Sequence, residues 1–323
     1  MNRKRFWFVI VISGLCIWGG QAQQDAQFNQ YFSVLGYYNP ACAGKENGLN
    51  VSALYNLQWL GMKNAPKTMV VTAGMPWKYG RTEHGLGVVV YNESLGLDKN
   101  MYTSVQYAFK KKLGKGVLSI GLQAGMVNMA FAADEIYIPD DEEHETPDSD
   151  EAMPTANADG MGLDLAAGLL YATDRYYVGL ASTHLLETKV ELDENLERKL
   201  SRGYNLVAGY NIQLTNPLIE LQPSVFAQSN LQMLTADVTL RAMYDRKYSG
   251  GIGGRMSDNG KMSAAILYFG MVIKGFRVGY AYEFPMSALV RAGAGSHELM
   301  ATYRLNIEKP KGNRNKHKSI RFL

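Results

Sequence analysis

The sequence predicts an all-β protein: a transmembrane antiparallel β-barrel of about 14 strands, preceded by a short N-terminal segment and followed by a basic C-terminal tail. Three observations carry this. Between about Asn50 and Leu305, apolar residues recur at every second position over stretches of about ten residues, so each stretch offers one face to hydrocarbon and the other to water. Turn-forming residues separate the stretches. Beyond the first residues, no segment approaches the ~20 uninterrupted apolar residues of a membrane helix, and a closed barrel is the other way for a backbone to cross lipid with its polar groups satisfied.

The chain opens with Arg3, Lys4 and Arg5, an apolar run from Phe6 to Trp18, and the small-x-small site Gly20-Gln21-Ala22. This is an export signal over residues 1–22, and the mature chain is expected to start at Gln23. Leu15 stands before Cys16 where a lipidated cysteine needs a small neighbour, so cleavage rather than lipidation is expected. The mature chain then keeps only Cys42, which excludes an internal disulfide.

Loss of the signal takes the formal charge from +3 to zero, which gives no reason to expect nucleic acid as a partner. The charges are instead segregated along the chain. Residues 129–160 hold eleven acids and no Lys or Arg, whereas the tail carries Lys309, Lys311, Arg314, Lys316, Lys318 and Arg321 against Glu308.

Strands are expected near residues 54, 71, 88, 104, 120, 166, 179, 208, 222, 239, 252, 265, 279 and 300. The longest connections, at 129–160, 185–202 and 285–296, then follow the fifth, seventh and thirteenth strands. Tight ones such as Thr173-Asp174, Thr215-Asn216-Pro217 and Asp245-Arg246-Lys247 follow even-numbered strands. All long loops therefore share one end of the barrel. Bacterial barrels place long loops outside and short turns in the periplasm, which sets the expected orientation.

Alternation also assigns the faces. Val51, Ala53, Tyr55, Leu57 and Trp59 are expected on lipid, as are Ala236, Val238, Leu240, Ala242 and Tyr244. Tyr55, Trp59, Tyr176, Tyr210, Tyr244, Tyr268, Tyr282 and Phe284 are expected to form interfacial girdles. The opposite face carries Glu220, Asp237, Arg241, Arg277, Glu283, Glu298 and Arg304, read as a lumen charge network that braces the wall or lines a weakly selective pore.

No catalytic constellation is found. His297 beside Ser296 is the best candidate, but neighbours on a strand point to opposite faces. The acidic run lacks the ligand spacing of a calcium loop and is read as a solvated outer loop, and Gly114-Lys115-Gly116 is read as a turn. Neither a metal nor a cofactor is expected.

Asp25-Ala26-Gln27-Phe28-Asn29-Gln30-Tyr31 leads through an apolar stretch to Asn39-Pro40-Ala41-Cys42-Ala43-Gly44. Further pieces follow in order: Gln58-Trp59 with Ala65-Pro66-Lys67-Thr68, Tyr177-Val178-Gly179-Leu180 with His184-Leu185-Leu186, Pro223-Ser224, and Gly295-Ser296-His297-Glu298. Together they resemble the PorP/SprF family of outer-membrane proteins of Bacteroidota over nearly the whole mature chain. Cys42 and Asn56 depart from that pattern, as do the length of the acidic insert and of the tail. The resemblance implies a non-enzymatic component of the type IX secretion and gliding apparatus in the outer membrane, supporting export or surface attachment. Its partners would be other secretion components, exported surface proteins and membrane lipid. A diffusion channel for small or hydrophobic solutes is the alternative. Asp25, Gln27, Phe28, Gln30, Tyr31, Asn39, Pro40 and Gly44 are the residues that the resemblance marks for docking or sealing. The segment that holds them is too apolar to stay exposed, so it forms a lid in the barrel mouth or a surface for another component. The expected organisation is signal peptide 1–22, N-terminal segment 23–49, barrel 50–306 and tail 307–323.

Overall fold

Period-two alternation becomes a closed ring of antiparallel strands. The computed structural model describes residues 25–133, 157–193, 196–258, 260–286 and 293–305, so the signal, most of the acidic insert and the basic tail lie outside the described residues. In chain order the strands are β1 (Leu49–Leu57), β2 (Lys67–Tyr79), β3 (Thr82–Leu95), β4 (Asp98–Leu113), β5 (Gly116–Phe131), β6 (Ala158–Ala172), β7 (Tyr176–Thr183), β8 (Lys189–Asp193) and β9 (Leu196–Lys199). They continue with β10 (Gly203–Tyr210), β11 (Ile212–Gln213), β12 (Ile219–Ser229), β13 (Leu234–Tyr244), β14 (Tyr248–Met256), β15 (Met262–Ile273), β16 (Phe276–Pro285) and β17 (Ser296–Leu305).

Each wall strand pairs with its sequence neighbours, and β1 closes the ring on β17 in a register that sets Ser52 opposite Thr302. β10 pairs directly with β12, and the short β11 continues along the same edge of β12. β8 and β9 form a separate hairpin within the connection after β7. The wall therefore has fourteen strands, and every predicted strand centre falls inside one of them. Closure matters because it leaves no unpaired edge to lipid.

The connections sort as their parity requires. The ends of β5, β7 and β16, from which the long connections leave, lie together at what we term the long-loop end. The opposite, tight-turn end holds Gly80-Arg81, Gly114-Lys115, residues 173–175 and 245–247, and Lys274-Gly275. Asp245 and Arg246 both take positive φ there, the geometry that lets so short a turn match the twist of two strands.

The outer face is apolar, with Val105, Leu122, Leu163, Ile252 and Phe269 among its exposed side chains. Tyr55, Tyr176, Tyr210, Tyr244 and Phe284 also face outward, while Tyr282 is half-buried and donates to the Ala294 carbonyl over 2.8 Å. Trp59 lies in the turn beyond β1 at positive φ. Tyr268 corrects the expected girdle. It shares its parity with the buried Ala264 and Ile266 and points inward, where its ring meets Phe32 edge-on at 5.8 Å. Both faces of β15 are apolar because the lumen here is filled by hydrophobic protein rather than water, so hydrophobicity could not distinguish inside from outside.

That filling is the N-terminal segment. Residues 25–48 run along the lumen from the long-loop end, where Asp25 meets the end of β7, to the tight-turn end, where the chain swings into β1. Two turns of 3-10 helix, Tyr31–Ser33 and Pro40–Cys42, flank one α-helical turn at Leu35–Tyr38. Pro40 disfavours helix at Asn39, which is extended (φ −148, ψ 111), and Pro40 then opens the second 3-10 turn with no N–H to strand. The Asn39 side chain completes that start by accepting from the Ala41 N–H at 2.9 Å.

Candidate functional site

The apolar centre of the lumen is built from the segment's own aromatics. Phe28, Tyr31, Val34 and Tyr38 are essentially inaccessible. Tyr31 stacks on Phe226 of β12 with ring centres 5.1 Å apart, and Tyr38 packs against the same ring at 4.4 Å. The polar tips are satisfied as they must be in a dry interior. Tyr31 Oη lies 2.8 Å from Ser224 Oγ and donates to Thr239 Oγ1, and Tyr38 Oη accepts from the Phe28 N–H at 2.9 Å. Burial pushes the hydroxyls of Tyr31, Tyr37 and Tyr38 above their ordinary value, so they stay neutral.

Toward the long-loop end the segment is held by buried charges. Asp25 Oδ1 lies 2.8 Å from His184 Nε2, its other oxygen accepts from Thr183 at 3.1 Å, and His184 Nδ1 lies 3.1 Å from Asp164 Oδ2. Burial opposes the charge on His184, but Asp25 and Asp164 outweigh it and lift the imidazole to about 10. Burial likewise opposes the charge on Asp25, and His184 overcomes it, holding that carboxyl below its ordinary 3.8. A cavity of about 70 Å³ beside the clamp is lined by Tyr37, Tyr91, Glu93 and Tyr102.

Across the lumen, the Glu298 carboxylate accepts from the backbone N–H groups of Asn29 (2.8 Å) and Gln30 (2.7 Å) while wholly buried. Arg255 reaches Asp237 (2.9 Å), Glu283 (2.9 Å) and the Asn29 side chain (2.9 Å) at once. Wall and segment are thereby joined in one charge-assisted network.

The tight-turn end is different. Arg241 lies over the Phe32 ring at 3.4 Å and donates to Gln222, which in turn donates to Glu220. Arg304 pairs with Glu46, Lys78 with Glu83 at 2.8 Å, and Arg277 lines a cavity of about 270 Å³. Lys110 donates to the Gly44 carbonyl, and Lys45 lies 4.0 Å over the Tyr177 ring. Gly44 adopts φ +59, and a Cβ there would lie 2.5 Å from the Met75 carbonyl. Gly121 is required for a similar reason: a Cβ on it would meet the backbone of Pro40 and Ala41.

The residues marked by sequence thus fall in two groups. Asp25, Phe28, Gln30, Tyr31, Asn39, Pro40 and Gly44 all contact the wall or order the segment, and Asn39 does so by donating to the carbonyls of Leu169 (3.0 Å) and Leu180 (3.3 Å). The Gln27 amide nitrogen is buried without a partner among the described residues. Asp237, Glu283 and Glu298 gather around the segment's start, while Glu220, Arg241, Arg277 and Arg304 sit apart toward the tight turns. Arg255, His184 and Asp164 were missed as site residues, although Arg255 shares its parity with Gly251 and Gly253, opposite the exposed Ile252. Ser296 and His297 do point apart: Ser296 is buried by the Trp59 backbone, while His297 Nδ1 lies 2.8 Å from Tyr280 Oη.

The family model described as type IX secretion system membrane protein PorP/SprF matches residues 20–303. The chain belongs to the PorP/SprF family. As a PorP/SprF protein it is a β-barrel of the outer membrane and a component of type IX secretion. No curated protein matches it. Among solved structures it is similar to the outer membrane protein Omp33 of Acinetobacter baumannii, at 8% identity and TM-score 0.47 over 81% of this chain and 100% of that one. The toluene transporter TbuX of Ralstonia pickettii aligns at 11% identity and TM-score 0.47 over 83% of this chain and 92% of its own. A Pseudomonas aeruginosa FadL homologue does so at 12% and 0.47, over 83% and 93%.

Proposed function

We propose that this PorP/SprF protein acts as a sealed outer-membrane anchor of the type IX secretion and gliding apparatus, supporting export or surface attachment of secreted proteins without a catalytic step of its own. The observation that supports this is the lumen packing. An aromatic segment cross-linked to the wall by buried carboxylates, an arginine and a histidine blocks the path a solute would take, which suits a scaffold better than a pore. The long loops then face outward and the tight turns face the periplasm, so exported proteins meet one end and envelope components the other.

Two measurements test the reading. The full-length mature barrel in planar bilayers should conduct poorly, and deleting its gene should change the surface and secreted proteomes. A stable, large, weakly selective conductance with an unchanged secretome would establish a diffusion channel for small or hydrophobic solutes instead. For orientation, a thiol-reactive probe on intact cells should reach cysteines introduced between residues 140 and 155 and leave those at 246–248 untouched; the reverse pattern would invert the barrel.

A further inference from the structure

We infer that the tight-turn mouth of the lumen is a docking site for an acidic polypeptide segment presented from the periplasm, an inference that rests on the orientation and secretion role proposed above. A cavity of about 830 Å³ opens there, roofed by Gly44, Lys45, Asn47 and Gly48 of the N-terminal segment and walled by β2 to β6. Its volume lies within the range of ligand sites, about 300–1,000 Å³.

The chemistry of the lining is one-sided. Lys78, Lys110 and Lys112 share the inward parity of their strands, and Lys115 tops the β4–β5 turn. Lys45 reaches in from the segment, and it also borders the second cavity, where Arg277 stands. Against them the lining offers Glu83, which Lys78 occupies, and Asp174. No described carboxylate lies within ion-pair distance of Lys45, Lys110, Lys112, Lys115 or Arg277. Clustered like charges within low-dielectric walls repel one another and concentrate an anionic partner. β17 also ends at this mouth.

The position of these cations selects the kind of anion. A phospholipid headgroup would reach the wall from outside, where Lys111 stands among Trp77, Tyr79, Phe109 and Leu113, whereas Lys78, Lys110 and Lys112 stand on the other face. A small anion could neutralise one or two of them. The cations extend through two cavities that share Lys45, a track that a chain of carboxylates can follow and a compact ion cannot. An anion bound here would also touch the segment's Gly44–Gly48 end, and so would read whether the lumen is sealed.

The test uses the purified full-length mature barrel in detergent and a fluorescein-labelled deca-glutamate peptide, followed by anisotropy. Binding should be saturable and should weaken as salt shortens the screening length from about 10 Å at 0.1 M toward 3 Å at 1 M. Deca-glutamine should not bind. Inorganic phosphate and phosphatidylglycerol vesicles should compete poorly; full competition by phosphate would make this a small-anion site, and by vesicles a lipid site, and either overturns the proposal. The Lys45→Gln/Lys112→Gln/Lys115→Gln variant should lose about tenfold in affinity, at the usual worth of partly exposed pairs, while Lys63→Gln/Lys67→Gln at the long-loop end should not. Truncation after Leu305 should keep the greater part of the binding; abolition by truncation, with no effect of the triple variant, would move the site to the tail and reject the mouth. Heat-modifiable migration checks folding, and Lys115→Glu alone, in an exposed turn, gives the same answer if the triple variant fails to assemble. A sealed barrel that supports secretion but binds no peptide rejects the docking site alone. Peptide binding with an unchanged secretome on gene deletion rejects the secretion role alone.

Discussion

The two halves of the lumen handle charge in opposite ways. Toward the long loops, Asp164, Asp237 and Glu298 are buried, Asp25 and Glu283 half-buried, and each meets a cation or backbone donor that fixes the N-terminal segment. Toward the tight turns, lysines gather around open cavities and several of them lack a described carboxylate partner. Burial converts charge into a mechanical link, since breaking such a pair strands an ion out of water. Hydrated charge holds little in place but remains free to bind. One end is built to hold the seal, the other to receive a partner.

The contrast is sharpest for two charged residues in equivalent strand positions. Arg255→Met leaves Asp237 and Glu283 facing each other without their cation, which should cost about 3–5 kcal/mol, the usual penalty for breaking a buried pair. Lys78→Met, in an exposed pair with Glu83, should cost under about 1 kcal/mol. Urea unfolding followed by heat-modifiable migration measures both. Equal losses would erase the distinction between the halves.

Gly121→Val probes the segment rather than the wall. The new side chain meets the backbone of Pro40 and Ala41, and overpacking of this kind typically costs about 1–3 kcal/mol. We expect the strand pairing to survive and the segment to shift. Cys42, buried and with its thiol pushed up to about 11 by desolvation, should then react faster with maleimide, and bilayer conductance should rise. Unchanged Cys42 labelling would show that the segment does not seal as packed.

How much of this was legible in the sequence follows from what alternation can report. Where one face meets lipid and the other meets polar groups, as in β1, β13 and β16, the pattern assigned strand and side correctly. Parity of loop lengths carried the strand number. Tyr268 failed because the lumen around Phe32 is as apolar as lipid. The inward charges Asp237, Glu283 and Glu298 were visible as polar positions on strands, yet their partner Arg255 was overlooked in a glycine-rich strand whose few side chains make a weak pattern. His184 and Asp164 were beyond alternation altogether, since their value lies in meeting Asp25 across more than a hundred residues of sequence. The mixed signs argued only against strong selectivity; the fold gathers Asp237, Glu283 and Glu298 toward one end and Lys78, Lys110 and Lys112 toward the other.

The Asp25–His184 clamp makes the long-loop half pH-sensitive in a defined direction. His184 is raised, so its stabilising charge is complete below about pH 6.5 and disappears as pH climbs through about 10. Asp25 is lowered, so its share is present above 3.8 and fades as pH falls further. The hold on the segment should be greatest near pH 4–6.5 and decline above it by at most about 1.4 kcal/mol per pH unit. A cysteine at Ala26, in a Cys42→Ala background, reports this locally. Its protection relative to the same protein with His184→Asn should shrink between pH 7 and 10. A constant ratio would mean that His184 does not carry the charge assigned to it.

The smallest effect on stability, and the one that best separates the halves, belongs to Glu46. It pairs with Arg304 at the tight-turn mouth, and both side chains are more than a third exposed (36% and 43%), so water and salt screen the pair. Glu46→Gln should change unfolding by well under ~1 kcal/mol. Asp237→Asn, the same loss of a single acid in the long-loop half, should destabilise clearly, because Arg255 is left buried and short of an anion. At the mouth the released cation has somewhere to go. Removing Glu46 adds Arg304 to the unpaired set and deletes a repulsive carboxylate next to Lys45, so affinity for deca-glutamate should rise by about twofold to fivefold at low salt, the equivalent of one partly screened pair. A loss of stability with no gain in binding would show that the mouth, like the opposite end, uses its charges to hold the segment.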